Sequence, residues 1–105
     1  MYYVYMLRCE DNSIYTGIAK DLEHRLNEHF SQDEKCAKYT KSRKAKKLEI
    51  SWETENKSTA SKLEYAIKTL TKNQKESLIN DPKLLNVFFE EKLDVDNYNV
   101  YKKQL

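Results

Sequence analysis

The chain has 105 residues, of which 34% are charged and 39% are apolar, and its net charge is +2 at pH 7. That length suits one domain and leaves little for a second, and the recurring aromatic and branched residues exclude a disordered chain. The net charge is too small to indicate a class of partner, so the distribution of charge along the chain carries that information instead.

Neither a signal peptide nor a membrane-spanning segment is predicted. The first residues lack a basic region followed by a long apolar stretch, and no window reaches the ~18 apolar residues of a transmembrane helix. The two cysteines, Cys9 and Cys36, and the two histidines form no zinc-binding pattern. We therefore expect a cytoplasmic protein with reduced thiols and no membrane partner, with a disulfide left open as the alternative.

The chain begins with a pattern typical of a β-hairpin. Residues 2–8 are rich in β-forming side chains, and both faces of this strand are apolar, so we expect it to be covered on both sides. Asp11 and Asn12 supply turn chemistry. A second strand is predicted from Ser13 to Ile18.

A helix is predicted next, with Asp21 as its N-cap. Its apolar stripe has a spacing of four and consists of Leu22, Leu26 and Phe30. Arg25 and His29 lie at the edge of that stripe, which places them near the rim of the hairpin. They are interpreted either as a solvated face or, with no acid inside the pair, as an anion site.

A third strand is predicted at residues 48–53, where apolar and polar residues alternate. Ser58 or Thr59 is expected to cap the helix that follows. That helix is predicted to run to about Leu70.

Further helical stretches are predicted at residues 72–79 and 83–92, separated by Pro82. The second of them is apolar enough to close the core, and the last residues look irregular. The predicted fold class is α+β, with a small three-stranded antiparallel or mixed sheet flanked by helices.

Residues 35–47 form the clearest electrostatic signal, because they hold seven Lys or Arg and no acid. Such a run attracts a phosphate backbone by counterion release, and Tyr39 within it can stack on a base. The alternative is a solvated loop. The predicted substrate contacts from this run and from the later helices are Lys38, Lys41, Arg43, Lys44, Lys68 and Lys72.

Gly17 is the only glycine in the chain and lies near the end of the second strand. It is explained either by the close approach of a ligand or backbone beside a site, or by a packing need. Tyr5 and Tyr15 lie on the paired strands and are expected to come within contact distance. Tyrosines in strands are most often packing residues, so the pair alone does not indicate catalysis.

Glu64 follows the core residue Leu63 on the capped helix. Its simplest interpretation is an ion pair with Lys68 four residues later, which contributes only ~0.2–0.5 kcal/mol. The alternative is a ligand to Mg²⁺, because that ion needs no more than one carboxylate together with waters and substrate phosphate.

Taken in chain order, these residues resemble the pattern of the GIY-YIG nucleases. The matching residues are Tyr3-Val4-Tyr5, Tyr15-Thr16-Gly17, Asp21 to Arg25, His29 and Glu64. The resemblance covers about residues 2–80, is closest to the small stand-alone bacterial members, and is most specific in the segment IYTGIAKDLEHRLNEH. It implies a single GIY-YIG-like domain over 1–105, with the motifs at about 2–80 and a C-terminal helix and tail at 83–105.

The resemblance also implies catalytic roles for matching positions. Tyr5 and Tyr15 match the two motif tyrosines, one of which acts as general base or orients the attacking water. Arg25 matches the arginine that steadies the scissile phosphate, and His29 matches a histidine that assists the tyrosine in some members. The first motif reads Tyr-Val-Tyr in place of Gly-Ile-Tyr, which keeps the tyrosine.

The same match implies a divalent cation, Mg²⁺ or Mn²⁺, held by Glu64, and a bare strand edge at Gly17. Asn73 and Asn80 are the candidates for an asparagine that many members carry after the glutamate. A phenolate at pH 7 costs ~4 kcal/mol relative to an ordinary phenol. Arg25, a metal-bound water and His29 are expected to supply part of that energy.

The implied function is a structure-selective endonuclease of the DNA-repair type that hydrolyses phosphodiester bonds, with DNA favoured over RNA as the substrate. It is expected to recognise nucleic-acid shape or single strands, or else to take its targeting from a protein partner. One alternative is a non-catalytic DNA- or RNA-binding module on the same scaffold. Another is a partner-binding domain that uses the C-terminal apolar helix, with the basic run serving solubility.

Overall fold

A computed structural model describes residues 1–31, 35 and 37–103 of the chain. The expectation for the thiol of Cys36 therefore lies outside the described residues. Within these described residues, four strands form one antiparallel sheet: β1 (Tyr2–Cys9), β2 (Ile14–Ala19), β3 (Ala45–Thr54) and β4 (Asn99–Lys103). They are ordered β2-β1-β3-β4, so β1 and β3 lie at the centre of the sheet.

The part of the chain that the structure describes also contains five helices, which pack around this sheet: α1 (Leu22–Ser31), α2 (Lys38–Ser42), α3 (Lys57–Lys68), α4 (Lys72–Asn80) and α5 (Leu84–Phe89). A 3₁₀ turn at Val95–Asn97 leads into β4. One face of the sheet packs against α1, and the other packs against α3, α4 and α5. The predicted α+β class, an antiparallel sheet flanked by helices, is confirmed. Within the described ranges, no helix has the length and apolar character needed to cross a bilayer.

The central strand β1 is buried on both faces, as its sequence predicts. Tyr5 and Leu7 pack in the cluster with α1, while Val4 and Met6 pack in the larger cluster with α3 to α5. All four side chains are fully buried. Each contributes about 1.5–3 kcal/mol by leaving water, so β1 is the strand on which both cores depend.

The predicted hairpin is confirmed. Strands β1 and β2 pair antiparallel, with Tyr5 opposite Gly17 in the register. The turn between them is stabilised by Asp11, whose side chain accepts a hydrogen bond from the backbone N–H of Ser13 at 3.0 Å. Asn12 adopts a φ of 69°, a left-handed conformation that asparagine tolerates better than most residues.

The C-terminal segment departs from the prediction, because residues 99–103 form a fourth strand rather than an irregular tail. This strand pairs with the outer edge of β3, where Trp52 lies opposite Val100. Five residues with two lysines give a weak strand signal by themselves. Their extended conformation depends on the unpaired backbone groups that β3 offers, and these are invisible in the sequence.

Helix boundaries also differ from the prediction. The N-cap of α3 is Asn56, whose side chain accepts from the backbone N–H of Thr59 at 3.0 Å, so neither Ser58 nor Thr59 is the cap. Asn56 takes this role because its own backbone is extended, with a φ of −147°. The helix ends at Lys68, before Leu70, although Leu70 still packs against the core.

The basic run and the last helix are more structured than expected. The run contains α2, which was not predicted, and β3 begins within it at Ala45. The predicted helix at 83–92 is shorter and ends at Phe89. Leu85 and Phe89 are buried in the core while Val87 is 71% exposed, so most of this helix closes the core rather than presenting an apolar surface.

An ionic cluster, buried at Arg8 and Glu49 and part-exposed at Glu76, attaches α4 to the sheet. Arg8 on β1 donates to Glu49 Oε2 from Nη2 at 2.9 Å and to Glu76 Oε2 from Nη1 at 2.7 Å. Its Nη1 also donates to the carbonyl of Asn12 at 3.1 Å. Glu49 lies where the β1–β3 register shifts, and Glu76 lies on α4. One guanidinium therefore joins both central strands, the hairpin turn and a helix.

Candidate active site

Helix α1 carries the predicted polar residues to the sheet. Its N-cap is Asp21, as predicted, since Asp21 Oδ1 accepts from the backbone N–H of His24 at 3.1 Å. Leu22 and Leu26 are buried against the sheet and set the rotation of the helix. His29 then lies on the same side as this apolar stripe.

His29 is fully buried, so its interpretation as part of a solvated face is wrong. Its Nε2 lies 2.8 Å from the hydroxyl oxygen of Tyr5, across the interface between α1 and β1. Burial lowers the pKa of His29 to about 4, and the positive charge of Arg25 acts in the same direction. The imidazole is therefore neutral at physiological pH.

The second ring nitrogen of His29 contacts α2. Its Nδ1 lies 2.7 Å from Thr40 Oγ1, and Thr40 is also fully buried. The short helix of the basic run is thus connected through one imidazole to the tyrosine on the central strand.

Tyr5 is completely buried, and burial raises the pKa of its phenol well above the ordinary value. The charges on Tyr15 and Glu64 raise that pKa further, whereas the neighbouring Arg25 guanidinium lowers it. The Tyr5 proton is thus held tightly, and a phenolate costs more than the ~4 kcal/mol of an ordinary phenol at pH 7.

The structure explains why the single glycine of the chain lies at position 17. A Cβ atom there would come within 2.6 Å of the Tyr5 hydroxyl oxygen and 2.9 Å of the Tyr15 ring. Real Cβ atoms do not approach so closely, so any side chain at Gly17 would displace Tyr5. The packing need and the site are therefore the same feature.

Tyr15 lies between the buried cluster and the basic run. Its ring centroid is 6.2 Å from that of Tyr5, which confirms the predicted contact, and 5.3 Å from that of His29. On its other side, Tyr39 lies 5.6 Å away, and the Arg43 guanidinium covers the Tyr39 ring at 4.5 Å. A continuous series of tilted ring contacts leads from the buried cluster to the cationic surface.

Arg25 is partly exposed and has an acidic partner, contrary to the expectation of an unneutralised pair. Its Nη1 donates to Glu28 Oε1 at 3.2 Å and to the carbonyl of Lys35. These contacts fix the guanidinium beside Tyr5 and leave 26% of its side chain exposed. It is therefore available to an anion that arrives from solvent.

Glu64 forms the predicted ion pair with Lys68, with 3.4 Å between Oε2 and Nζ, and 23% of its side chain is exposed. Within residues 1–31, 35 and 37–103, no three His, Cys, Asp or Glu side chains form a group that could hold a metal ion. A carboxylate oxygen is nevertheless the donor that Mg²⁺ and Mn²⁺ prefer, and one such ligand completed by water and phosphate is a common arrangement. Glu64 therefore fits a divalent cation only as a single carboxylate ligand, with water and substrate phosphate as the other ligands.

The predicted phosphate-binding cations form two neighbouring groups on the surface. Lys38, Lys41, Arg43 and Lys44 are exposed on α2 and just after it, although Arg43 also pairs with Asp11 at 3.2 Å. Lys68 and Lys72 are exposed at the end of α3 and the start of α4. A pocket of about 230 Å³ joins the two groups and is lined by Asp11, Ser13, Ile14, Tyr39, Lys72 and Lys75.

Sequence reasoning missed Glu28 and Thr40. Glu28 lies between Arg25 and His29, and its role follows from the geometry of α1 rather than from any motif. Thr40 lies in a lysine-rich stretch that gives no hint of burial. Asn73 and Asn80, the candidates for the family asparagine, are exposed on α4.

The model of the GIY-YIG catalytic domain matches residues 1–77 of the chain. The chain belongs to the GIY-YIG family. This assignment confirms the resemblance and supports a nuclease-like function on nucleic acid. GIY-YIG nucleases generally use divalent metals, so the family also supports metal dependence in coarse terms.

Similar proteins lie in a group of small bacterial GIY-YIG relatives. A UPF0213 protein of Fusobacterium nucleatum is 52% identical over 81 residues, which cover 77% of this chain and 79% of that protein. A UPF0213 protein of Clostridium perfringens is 41% identical over 90% of this chain and 100% of its own length. The NMR structure of a UPF0213 protein from Bacillus halodurans has a TM-score of 0.50 and 33% identity, covering 89% of this chain and 99% of that one.

Proposed function

We propose that this chain is a divalent-metal-dependent endonuclease that hydrolyses phosphodiester bonds in DNA and selects its substrate by structure rather than by sequence. The observation that carries the proposal is the convergence of Tyr5, Tyr15, Arg25 and His29 around the bare backbone of Gly17. Membership of a nuclease family adds the reaction class.

Tyr5 is the better candidate for the base that activates water. Both ring nitrogens of His29 are occupied, Nε2 by Tyr5 and Nδ1 by Thr40, so Tyr15 contacts the imidazole only through its ring. Nε2 lies 2.8 Å from the Tyr5 hydroxyl and is the acceptor to which Tyr5 would give its proton, leaving a phenolate to accept a proton from the attacking water. The raised pKa of Tyr5 and the lowered pKa of His29 oppose this transfer in the free protein, so it belongs to the site with substrate and cation bound. Tyr15 then borders the reaction site and limits how the phosphate approaches.

Arg25 is placed to steady the phosphate. Its guanidinium lies close enough to Tyr5 to lower the pKa of the phenol, and part of its side chain faces solvent. Negative charge that develops on the non-bridging oxygens is stabilised there, and the same positive charge favours the phenolate. Glu28 holds the guanidinium in this position.

Glu64 would hold the divalent cation, which supplies Lewis-acid stabilisation of charge on the phosphate when it is bound. The carboxylate is close enough to Tyr5 to raise the pKa of the phenol, so it faces the same site. Its ion pair with Lys68 is a weak, partly exposed contact that a divalent cation can replace.

The surface cations support structure-selective binding. Lys38, Lys41 and Lys44 lie on and beside a five-residue helix, and side chains of this kind contact phosphates more readily than base edges. Phosphate contacts position a nucleic acid without reading its sequence. The selection of DNA over RNA is part of the proposal and is tested directly below.

The proposal is tested by incubating the protein with labelled single-stranded, duplex, flap and four-way-junction DNA, and with matched RNA, in Mg²⁺, Mn²⁺ or chelator. Glu64→Gln is the test variant, and Glu90→Gln, an exposed glutamate beside α5, is the control. We expect metal-dependent cutting of branched DNA that falls by about a hundredfold in Glu64→Gln and is unchanged in Glu90→Gln.

Three other outcomes would contradict parts of the proposal. Cutting that persists in Glu64→Gln overturns the role of that carboxylate. Preferential cutting of RNA overturns the substrate class. Binding that weakens steeply with salt but never leads to cutting, in either metal, identifies a non-catalytic nucleic-acid-binding module.

A further inference from the structure

Three hydrogen bonds follow one another from β1 to α2, the first two buried and the third part-buried. The Tyr5 hydroxyl lies 2.8 Å from His29 Nε2, and His29 Nδ1 lies 2.7 Å from Thr40 Oγ1. The series ends at the carbonyl oxygen of Ala37, to which Thr40 Oγ1 donates at 3.1 Å. The last member of the series is a group that can only accept.

That last acceptor sets one consistent direction for the bonds before it. With the single hydroxyl hydrogen of Thr40 on the Ala37 carbonyl, Thr40 Oγ1 accepts from His29. In this arrangement His29 Nδ1 carries a hydrogen. A neutral imidazole carries only one, so Nε2 presents a lone pair, and the Tyr5 hydroxyl must donate to it.

We propose that Thr40 is a positioning residue which holds His29 in the Nδ1–H form, so that Nε2 is free to receive the proton of Tyr5. This inference rests on the proposed function for its meaning in catalysis, but the tautomer itself is a property of the folded chain. Thr40 does not contact the substrate in this assignment and acts entirely through His29.

The opposite tautomer would reverse the polarity of the site. With the hydrogen on Nε2, His29 would donate to the phenol oxygen, and Tyr5 would lose the one acceptor that the described part of the chain offers its own proton. In the Nδ1–H form, transfer of the Tyr5 proton yields a phenolate and an imidazolium whose Nδ1–H still bonds to Thr40. No other group needs to move or exchange a proton.

Thr40 belongs to the same helix as the exposed surface lysines. It lies on α2 between Tyr39 and Lys41, and its neighbour Lys38 is exposed on the same helix. The helix whose cations are proposed to meet the phosphate backbone therefore also carries the hydroxyl that sets the tautomer. A displacement of α2 would remove both features together.

Nuclear magnetic resonance of the imidazole nitrogens tests the inference directly. The chain has only two histidines, and the second, His24, has a side chain 71% exposed, so it provides an internal reference. We expect the native chain at neutral pH to show a protonated Nδ1 and an unprotonated Nε2 for His29. A protonated Nε2 with an unprotonated Nδ1 would overturn the inference whether or not the protein cuts DNA.

Variants of Thr40 then connect the tautomer with cleavage. Thr40→Val keeps the shape but removes the acceptor, and we expect loss of the Nδ1–H signature together with a fall in cleavage of about tenfold or more. Thr40→Ser keeps the hydroxyl and should restore both. Ser42→Ala on the same helix, whose hydroxyl contacts only backbone carbonyls of α2, is the control and should change neither.

The two kinds of failure remain distinguishable. If Thr40→Val retains both the Nδ1–H signature and full cleavage, the positioning role is wrong while the nuclease assignment stands. If the native chain shows the expected tautomer but cuts no nucleic acid, the positioning role is correct and the proposed function fails. If Thr40→Val does not fold, the native spectrum and the Thr40→Ser variant still decide the matter.

Discussion

The sheet carries one buried polar cluster on each face, and both clusters are attached to β1 three residues apart. Tyr5, His29 and Thr40 form the first, on the side of α1 and α2. Arg8, Glu49 and Glu76 form the second, on the side of α4. The first is neutral in its resting state, whereas the second consists entirely of charged groups.

This difference separates a group of residues that can exchange a proton from one that cannot. The guanidinium of Arg8 does not lose its proton in proteins, and its carboxylate partners raise its pKa further. The neutral cluster has one hydrogen in each bond and a lone pair at His29 Nε2, so a proton can move along it. We infer that the ionic cluster stabilises the fold while the neutral one serves chemistry.

The largest expected effect follows from removing the guanidinium of the ionic cluster. Arg8→Met leaves Glu49 and Glu76 without their main partner, and the free energy of unfolding should fall by about 3–5 kcal/mol. Denaturation in urea measures the change. Arg43→Met, which removes an exposed ion pair with Asp11, is the control and should cost less than about 1 kcal/mol. Equal losses in the two variants would show that the ionic cluster is not a stability element.

The two clusters should also respond to acid in different pH ranges. The pKa of His29 is about 4 in the folded chain and about 6.5 when unfolded, so the unfolded state binds the extra proton between those values. Its stability contribution is complete above pH 6.5 and is lost as the pH falls toward 4, by about 3 kcal/mol. Arg8 lowers the pKa of Glu76, so the stability that the ionised Glu76 carboxylate contributes is lost only below about pH 4.5.

Unfolding measured as a function of pH checks this separation. His29→Gln should make the free energy of unfolding nearly independent of pH between about 4 and 6.5, and should leave its decline below about pH 4.5 unchanged. His24→Gln, at an exposed position, should change neither part of the profile. An unaltered profile in His29→Gln would show that the imidazole is not held neutral by the fold.

Removing the Tyr5 hydroxyl should impair chemistry more than stability. Tyr5→Phe deletes the donor to His29 Nε2, and we expect cleavage to fall by about a hundredfold. The free energy of unfolding should fall by only about 1–2 kcal/mol, the cost of one unsatisfied buried nitrogen. Tyr65→Phe, at a position 74% exposed on α3, is the control for both measurements. Full activity in Tyr5→Phe would transfer the base role to Tyr15.

Gly17→Ala should change stability by about as much as Tyr5→Phe and acts on the neutral cluster alone. The added Cβ is 2.6 Å from the Tyr5 hydroxyl oxygen and 2.7 Å from the ring carbon that bears it, so the ring must shift. We expect the free energy of unfolding to fall by about 1–2 kcal/mol. Cleavage should also fall, because the displaced Tyr5 hydroxyl no longer contacts His29 Nε2. Combining the substitution with Tyr5→Phe should give less than the sum of the two stability losses, and strict additivity would contradict the assigned clash.

The sequence by itself determined the elements whose signals are local. The apolar faces of β1, the turn at Asp11 and Asn12, the cap at Asp21 and the stripe of Leu22 and Leu26 each depend on neighbours within a few residues. Most of the family pattern, from Tyr3 to His29, lies within the same segment, so the resemblance could relate Tyr5 to His29, and the structure shows that the two side chains are in contact. Hydrophobic periodicity and capping act over such short distances, so a sequence displays them directly.

Only the tertiary structure decided the partners that come from distant parts of the chain. The strand at 99–103 forms because it pairs with the free edge of β3. Arg8 pairs with Glu76, which lies 68 residues away in the sequence. Thr40 acquires its role only when α2 packs beside His29. Burial and hydrogen bonding between remote segments depend on how the elements pack, and a lysine-rich stretch does not reveal that one of its threonines is excluded from water.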